Sequence, residues 1–237
     1  MELENKIYLG DSLELMKQIP DGSIDLIYTD IPYLYSDKMP SKKSHLYDEI
    51  MTTRQQLQDD EIDKGIDMKW LDEACRVMKK INIYIWMSKF QIPEYLNYFV
   101  NKGASFEFLL WIKSTCMPLH NNKYNSDKEY CLYFRKGGRC QPKDNNSAAT
   151  YFYQPINNTD KTLYGHPTIK PLNIVKQMIE NSTLEGDLVL DPFLGSGTTC
   201  VACHQLKRKY LGIEKSEQYF NVANKRIEDE KKILELF

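Results

Sequence analysis

The 237-residue sequence has no surplus of positive charge, because 31 lysines and arginines face 33 aspartates and glutamates for a formal net charge of −2. This balance excludes a general polyanion binder of the histone or ribosomal type, although a local basic face is compatible with it. The longest apolar runs, such as Ile83 to Met87 and Phe108 to Ile112, are too short to cross a membrane. The acidic start, Met1 to Glu4, lacks the apolar core of a signal peptide, so we expect a cytoplasmic protein whose six cysteines are reduced.

What the sequence does contain is an alternation of short apolar segments with amphipathic segments of helical period. Ile24 to Tyr28 and Asn82 to Ser88 predict buried strands, and Ser12 to Ile19 predicts a helix. Residues 139–165 are polar, rich in asparagine and without periodicity, so we expect them to be irregular. Length and pattern together predict a single α/β domain that includes the whole chain.

A glycine-rich turn, Asp191-Pro-Phe-Leu-Gly-Ser-Gly-Thr-Thr199, follows a predicted strand and begins a predicted helix. In a doubly wound sheet this position lies at the carboxyl end of the strands, where ligands bind. No lysine follows the second glycine, which excludes a nucleoside triphosphate site, and the third glycine of a dinucleotide site is missing. Asp191 would repel a phosphate but suits a cationic amino group, and Glu214 suits ribose hydroxyls. The turn therefore predicts an S-adenosylmethionine site, with a purely structural strand–turn–helix as the alternative.

A second turn, Thr29 to Tyr33, also follows a predicted buried strand. The Asp30 carboxylate and the neighbouring backbone carbonyl can accept both hydrogens of an exocyclic amine, and the Tyr33 ring can stack on a planar base. By itself the pattern is weak, because aspartate and proline are common in turns after strands.

Together the motifs make the chain resemble the beta class of amino DNA methyltransferases, the S-adenosylmethionine-dependent enzymes that methylate N6 of adenine or N4 of cytosine. The family's Asp-Pro-Pro-Tyr motif corresponds to Asp30 to Tyr33, its cofactor motif to Asp191 to Thr198, and its His-Pro-Thr-x-Lys-Pro motif to His166 to Pro171. The resemblance covers nearly the whole chain. It implies a Rossmann-like methyltransferase fold with a seven-stranded, mostly parallel sheet, one antiparallel strand and a circularly permuted motif order.

The resemblance also implies a role for each matching residue. The catalytic residues would be Asp30, Ile31, Pro32 and Tyr33, with the target base flipped out of the duplex and stacked on Tyr33. Asp191 would bind the methionine amino group of the cofactor. The other implied cofactor contacts are Asp11 at the adenine, Glu214 at the ribose, Lys170 near the carboxylate, and His166, Thr168, Phe193, Gly195, Ser196, Gly197 and Thr198.

The first catalytic motif carries evidence about the substrate. Aspartate at its first position favours adenine, since N4-cytosine relatives more often have serine there. Ile31 replaces the motif's first proline, which keeps the carbonyl but loosens φ and adds an N–H that needs a partner. The alternatives are therefore an N4-cytosine enzyme, an enzyme acting on RNA or protein, and a catalytically weak, methyltransferase-like DNA-binding subunit.

Residues 111–143 hold seven lysines and arginines against two acidic residues, with aromatic and amide side chains between them. Cations bind phosphates and amides read base edges, so this segment predicts DNA contact, with a solvated basic hairpin as the alternative. We expect a small target-recognition element within residues 113–165. The candidate DNA contacts are Lys38, Lys42, Lys43, Lys113, Asn121, Asn122, Lys123, Arg135 and Arg139. The resemblance implies double-stranded DNA, a second copy of the chain and a cognate restriction enzyme as partners.

One cysteine motif has an alternative interpretation. Cys200-Val-Ala-Cys203-His204 matches a haem-attachment pattern and half of a zinc site, but no second closely spaced cysteine pair accompanies it. The motif falls within a predicted helix, so we expect two small apolar residues on a buried helix face and no metal.

Overall fold

The computed structural model describes residues 1–34, 51, 55, 65–115, 124–156, 162, 164 and 169–234. These residues confirm the predicted α/β class. In chain order the elements are β1 (Lys6–Leu9), α1 (Ser12–Met16), β2 (Leu26–Asp30), α2 (Trp70–Val77), β3 (Ile81–Met87), α3 (Ile92–Asn101), β4 (Ser105–Lys113), β5 (Lys128–Lys136), β6 (Tyr151–Gln154), α4 (Leu172–Ser182), β7 (Leu188–Asp191), α5 (Thr198–Gln205), β8 (Lys209–Glu214) and α6 (Glu217–Leu234).

The described strands form one sheet in the order β1-β8-β7-β2-β3-β5-β4-β6. Within it β5 is antiparallel to both of its neighbours, β3 and β4, while the other pairs are parallel. The mostly parallel sheet with one antiparallel strand therefore agrees with the prediction.

The sheet has eight strands, however, where seven were predicted. The additional strand is β6, which lies at the sheet edge within the stretch predicted to be irregular. Its Tyr-Phe-Tyr-Gln sequence pairs with Leu110 to Lys113 of β4. Three aromatic residues suit a pleated surface, but four residues are too few to show a strand pattern without a neighbouring strand.

Apolar side chains cover both faces of the sheet. Strand β3 is apolar at almost every position because it is buried on both faces. Ile83 and Ile85 belong to one buried cluster, with residues of α1, α2 and α3. Tyr84 and Trp86 belong to a second cluster, with residues of α4, α5 and α6. Because side chains alternate between faces, a central strand covered on both sides is apolar at every position. No helix in the described part of the chain is long and apolar enough to span a membrane.

The direction of the strands determines which residues share an edge of the sheet. Asp30, Asp191 and Glu214 are the last residues of the parallel strands β2, β7 and β8. Glu129 is the second residue of β5, and because β5 is antiparallel its beginning lies at that same edge. Four carboxylates from distant parts of the sequence thus meet at one edge.

Candidate active site

A cavity of about 800 Å³ opens at this edge of the sheet, a size typical of small-ligand sites. Both sequence motifs line it, together with residues from α2, β4 and β5. Asp11 also lines the cavity, and its carboxylate caps α1 by accepting a hydrogen bond from the Glu14 N–H at 3.2 Å. The two turns predicted to bind ligands therefore form a single site.

The glycine turn connects β7 to α5 through two left-handed residues, Gly195 with φ 56° and Gly197 with φ 84°. A Cβ atom on Gly197 would lie 3.0 Å from the Cβ of Ala223 on α6, so both conformation and space require glycine there. The buried Arg226 of α6 donates hydrogen bonds from Nη1 to the Thr198 hydroxyl at 2.8 Å and the Ser196 hydroxyl at 3.3 Å. Helix α6 thus fixes the turn from behind.

Asp191 is buried, and its partners are neutral donors. Its Oδ1 accepts hydrogen bonds from the Thr29 hydroxyl at 2.9 Å and the Phe193 N–H at 3.2 Å, and its Oδ2 accepts one from the Thr199 hydroxyl at 2.5 Å. Burial raises the pKa of Asp191 to about 7, although these donors favour the charged form. No lysine or arginine among the described residues forms an ion pair with it, so its charge is available to a cationic ligand.

Glu214 joins the glycine turn to the end of β8. Its two carboxylate oxygens accept hydrogen bonds from the Gly195 N–H at 2.7 Å and the Ser216 N–H at 2.8 Å. Burial raises its pKa, while the backbone donors oppose that shift. Each oxygen can accept a further hydrogen bond, so Glu214 can bind ligand hydroxyls without releasing the turn.

An apolar wall completes this half of the cavity. The ring of Phe193 meets the indole of Trp70 edge to face, with ring centroids 5.2 Å apart. Trp70 is the first residue of α2 and is 1% exposed, so it fixes the orientation of Phe193. The Phe193 ring offers an apolar surface next to the charged residues of the turn.

The turn after β2 is held by two hydrogen-bonding arrangements. The N–H of Ile31 donates to the Trp86 carbonyl at 3.2 Å, so the N–H that replaces a proline of the family motif has a partner. The buried amide of Gln91 donates to the Pro32 carbonyl at 3.0 Å and accepts from the Leu34 N–H at 3.2 Å. Isoleucine at this position therefore adds a backbone hydrogen bond between the ends of β2 and β3 and leaves no unsatisfied N–H.

Asp30 lies in a cluster of alternating charges. Its Oδ2 accepts a hydrogen bond from the Lys170 ammonium, whose Nζ also lies 2.9 Å from Glu129 Oε2. The Lys113 ammonium lies 2.7 Å from Glu129 Oε1, and the Tyr33 hydroxyl lies 3.3 Å from Oε2. The second oxygen of Asp30, Oδ1, is buried and has no hydrogen-bond partner among the described residues.

These contacts set the charge state of the cluster. Burial opposes ionisation of Glu129, but the two ammonium groups outweigh it and lower its pKa to about 2. Burial would also lower the pKa of Lys170, yet Asp30 and Glu129 raise it above its ordinary value. The pKa of Asp30 is raised by burial and by Glu129, in part offset by Lys170. The cluster is thus two carboxylates matched by two ammonium groups.

The structure brings most of the predicted catalytic and cofactor residues together. Those lining the cavity are Asp11, Asp30, Ile31, Pro32, Tyr33, Lys170, Asp191, Phe193, Gly195, Ser196, Thr198 and Glu214, with Gly197 directly behind them. His166 and Thr168 lie outside the described residues. The ammonium of Lys170 is paired with Asp30 and Glu129, and the side chain is 5% exposed; its proximity to a cofactor carboxylate stays a prediction.

Sequence reasoning missed four residues that shape the site. Thr29 directly precedes the catalytic motif, and this position is the one feature of the sequence that could have indicated its place in the site. Gln91 and Arg226 follow from no local pattern, since each reaches the site from a distant helix segment. Glu129 was counted only as an acidic residue within a basic segment, because its place in the site depends on the direction of β5.

The structure separates the three candidate DNA contacts that it describes. Lys113 lines the cavity in an ion pair with Glu129, so it is not a free surface cation. Arg135 pairs with Asn82 at the beginning of β3, at the sheet edge opposite the cavity. Arg139 follows it there and is only partly exposed. Six residues of extended strand separate Glu129 from Arg135, about 20 Å, so the basic segment does not form one face.

The other candidate DNA contacts, Lys38, Lys42, Lys43, Asn121, Asn122 and Lys123, lie outside the described residues. Cys200 and Cys203 are 0% exposed in α5, which confirms the predicted buried helix face. Burial raises the pKa of both thiols above the ordinary cysteine value.

Comparison with known proteins agrees with this geometry. A family model described as DNA methylase matches residues 24–225, which include both motif turns. The Type II methyltransferase M2.MboI of Moraxella bovis is 28% identical over 243 residues, covering 93% of this chain and 86% of that protein.

Solved structures are similar over the same extent. The M1.HpyAVI–SAM complex superimposes with a TM-score of 0.67 at 26% identity, covering 93% of this chain and 98% of that one. A structure described as the cytosine-N4-specific PvuII DNA methyltransferase gives a TM-score of 0.66 at 18% identity, covering 99% and 93%. At that identity the likeness supports the fold alone.

Proposed function

Because the chain belongs to the DNA methylase family, we propose that it is a site-specific methyltransferase that transfers a methyl group from S-adenosyl-L-methionine to N6 of adenine in double-stranded DNA. One observation carries the proposal. In the cavity that contains the glycine turn, Asp30 presents a buried oxygen, Oδ1, with no partner among the described residues. A buried acceptor without a donor is costly, and a substrate amine would satisfy it.

S-adenosyl-L-methionine is the cofactor, and the residues of the glycine turn fit it. The uncompensated carboxylate of Asp191 suits its ammonium group, and the remaining acceptor capacity of Glu214 suits its ribose hydroxyls. Phe193 offers an apolar surface, and Asp11 lies where it can meet the adenine. When bound, the cofactor supplies a sulfonium methyl group that is open to nucleophilic displacement.

The residues of the second turn would activate the target amine. An exocyclic amine is a poor nucleophile because its lone pair is delocalised into the ring. Hydrogen bonds to Asp30 Oδ1 and to the Ile31 carbonyl draw the nitrogen toward tetrahedral geometry and aim the lone pair at the methyl group. The nitrogen would become positive on accepting the methyl group that the cofactor supplies, and Asp30 would accept the proton that it releases. Burial raises the pKa of Asp30, which favours taking that proton.

The target base must leave the duplex to reach this acceptor, since the Asp30 oxygen is buried within the cavity. Tyr33 is half-buried beside Asp30, and its ring is the surface on which the flipped base would stack. Such stacking is worth about 1–3 kcal/mol per base. No covalent enzyme intermediate is needed, so no nucleophilic cysteine is required.

Adenine is proposed over cytosine because aspartate occupies the first position of the catalytic motif. N4 of cytosine is the second candidate, and one structural neighbour is described as cytosine-N4-specific. The catalytically weak subunit suggested by Ile31 is less well supported, because the Ile31 N–H is hydrogen-bonded and its side chain is buried.

The arrangement of partners follows from the same family membership. We propose duplex DNA as the substrate and a homodimer as the active oligomeric state. We also propose that the same cell contains a restriction enzyme that recognises the same DNA sequence. Target recognition is proposed for residues within 113–165, a range that includes β6. Light scattering of the purified protein, alone and with duplex DNA, tests the dimer.

Transfer of a labelled methyl group tests the reaction. Unmethylated duplex DNA, single-stranded DNA, RNA and protein are each incubated with the chain and labelled cofactor, and the modified nucleosides are separated. We expect N6-methyladenine from duplex DNA. N4-methylcytosine would overturn the choice of base, and cofactor binding without transfer to any substrate would favour the non-catalytic subunit.

A further inference from the structure

Of the four carboxylates at this edge of the sheet, Glu129 is the one to which the proposed reaction gives no role. Glu129 lies between two ammonium groups, Lys113 at 2.7 Å from its Oε1 and Lys170 at 2.9 Å from its Oε2. Lys170 in turn contacts Oδ2 of Asp30. The side chains of Lys170, Glu129, Lys113 and Asp30 are 5%, 13%, 20% and 26% exposed, so most of the surface of these four alternating charges is removed from water.

Such a cluster is not explained by stability. Buried ion pairs gain little over apolar residues of the same size, because each charge loses its hydration. The acceptor chemistry of Asp30 needs neither Glu129 nor Lys113. Their position in the cavity therefore calls for a role connected with Asp30, and Lys170 is the ammonium that contacts both carboxylates.

The geometry identifies that role. An ammonium on a flexible four-carbon chain has many orientations, and a single carboxylate does not select one. Contacts with two carboxylates, Asp30 and Glu129, restrict it more, and the other oxygen of Glu129 is paired with Lys113. The Tyr33 hydroxyl, 3.3 Å from Glu129 and 3.4 Å from Lys170, adds a further contact on the substrate side. Oδ2 of Asp30 is thus paired with Lys170, whereas Oδ1 has no hydrogen-bond partner among the described residues.

We propose that Glu129 is a positioning residue for methyl transfer: supported by Lys113, it holds the Lys170 ammonium on Oδ2 of Asp30, so that Oδ1 alone faces the target amine. The inference rests on the proposed function for its consequence in catalysis. A carboxylate that can turn presents its lone pairs in many directions, whereas one anchored at Oδ2 presents a single acceptor in a fixed direction.

The charge states agree with this arrangement. Lys170 and Lys113 overcome the effect of burial and lower the pKa of Glu129 to about 2, so Glu129 remains ionised at neutral pH. The pKa of Lys170 is raised by both carboxylates, so its ammonium also persists. The anchor therefore does not depend on small changes of pH near neutrality.

Two variants separate positioning from charge balance. Glu129→Gln keeps the shape but leaves the cluster with one excess positive charge. The double variant Glu129→Gln with Lys113→Met restores neutrality and still lacks the carboxylate that holds Lys170. We expect the single-turnover transfer rate to fall by about 10- to 100-fold in both, with cofactor affinity within about twofold of the original chain. Recovery of the original rate in the double variant would overturn the proposal, since charge balance alone would then explain Glu129.

A structural readout keeps the inference independent of the reaction. Crystal structures of the original chain and both variants report whether the Lys170 Nζ contacts Asp30 Oδ2. We expect the contact in the original chain and its loss in both variants. If the original chain transfers no methyl group to DNA, the proposed function fails while this measurement still tests the inference. Lys170 remaining on Asp30 Oδ2 in Glu129→Gln crystals would overturn the inference whatever the assay shows.

Glu180→Gln is the matched control. Glu180 on α4 pairs with Lys143 at 2.5 Å in an exposed ion pair that does not line the cavity. The same chemical change there should leave the transfer rate and the Lys170 contact as they are in the original chain. Cooperative thermal unfolding of every variant establishes that a lower rate does not come from an unfolded protein.

Discussion

Two aspartates end neighbouring parallel strands and line the same cavity, yet their partners are opposite in kind. Asp30, at the end of β2, is paired with the Lys170 ammonium. Asp191, at the end of β7, accepts hydrogen bonds from the hydroxyls of Thr29 and Thr199 and from a backbone N–H. Since β2 and β7 pair directly, the backbone presents both carboxylates in the same way, and the difference comes from the side chains around them.

The difference shows how one cavity can bind a cation and a neutral amine side by side. A carboxylate surrounded by neutral donors keeps an uncompensated charge, which is suited to a ligand that arrives positive. A carboxylate already paired with an ammonium does not attract a second cation strongly, and it is suited to a neutral amine that becomes positive only during the reaction. Asp191 therefore has the proposed role in cofactor binding, and Asp30 has the proposed role in catalysis.

The largest expected effect comes from breaking the Asp30 side of this pair. Asp30→Ala removes the acceptor for the target amine, and we expect methyl transfer to fall by at least about 10³-fold. Cofactor affinity should stay within about twofold, because Asp191 and its partners are unchanged. Single-turnover assays and calorimetric titration measure the two quantities. Turnover close to that of the original chain would contradict the mechanism.

Lys170→Met removes the ammonium that distinguishes the two sites. Asp30 then faces Glu129 with only Lys113 as counter-charge, so the pKa of Asp30 rises further and its carboxylate is protonated at higher pH. We expect the acid limb of the transfer-rate profile to move to higher pH and the rate near neutrality to fall by about 100-fold. Rates measured between about pH 5 and about pH 9 test this. Lys209→Met is the control, because Lys209 begins β8, does not line the cavity and pairs with Glu4 in an exposed ion pair. Superimposable profiles would refute it.

Asp191→Asn changes the other side of the pair and should act on binding. Burial raises the pKa of Asp191 to about 7, so below neutrality the free protein must lose a proton before its carboxylate can meet a cation. Cofactor affinity should therefore increase as pH rises from about 6 to about 8 in the original chain. The asparagine variant should bind about tenfold more weakly at the upper pH and lose most of that pH dependence. Identical pH dependence in both proteins would remove Asp191 from the binding step.

The smallest expected effect comes from Thr29, whose hydroxyl joins the two strands at Asp191. Thr29→Val keeps the shape and removes the hydrogen bond to Oδ1, which the Phe193 N–H still contacts. We expect the free energy of unfolding to fall by about 1 kcal/mol, measured by chemical denaturation. Thr29→Ser retains the hydroxyl and serves as the control. A loss in Thr29→Ser with none in Thr29→Val would show that the methyl group matters and the hydrogen bond does not.

The parts of the fold that were predictable are those with strong local patterns. The apolar strands β2 and β3 and the strand–turn–helix around Gly195 are visible in the sequence because each contains its own periodicity or turn residues. Strand β6 was not predictable, since its four residues form a strand by pairing with β4. The distance of Arg135 from the cavity was not predictable either, because a local count of charges contains no information about how far apart the ends of a strand lie.

The sequence by itself determined the chemistry at the ends of the parallel strands. Asp30 and Asp191 each follow a buried strand, and the carboxyl ends of parallel strands share an edge, so their proximity followed from the pattern. Only the tertiary structure decided that Glu129 joins them. Its strand runs in the opposite direction, which brings the beginning of β5 to the cavity and carries Arg135 away from it. Strand direction depends on pairing between distant segments, and no local run of residues encodes it.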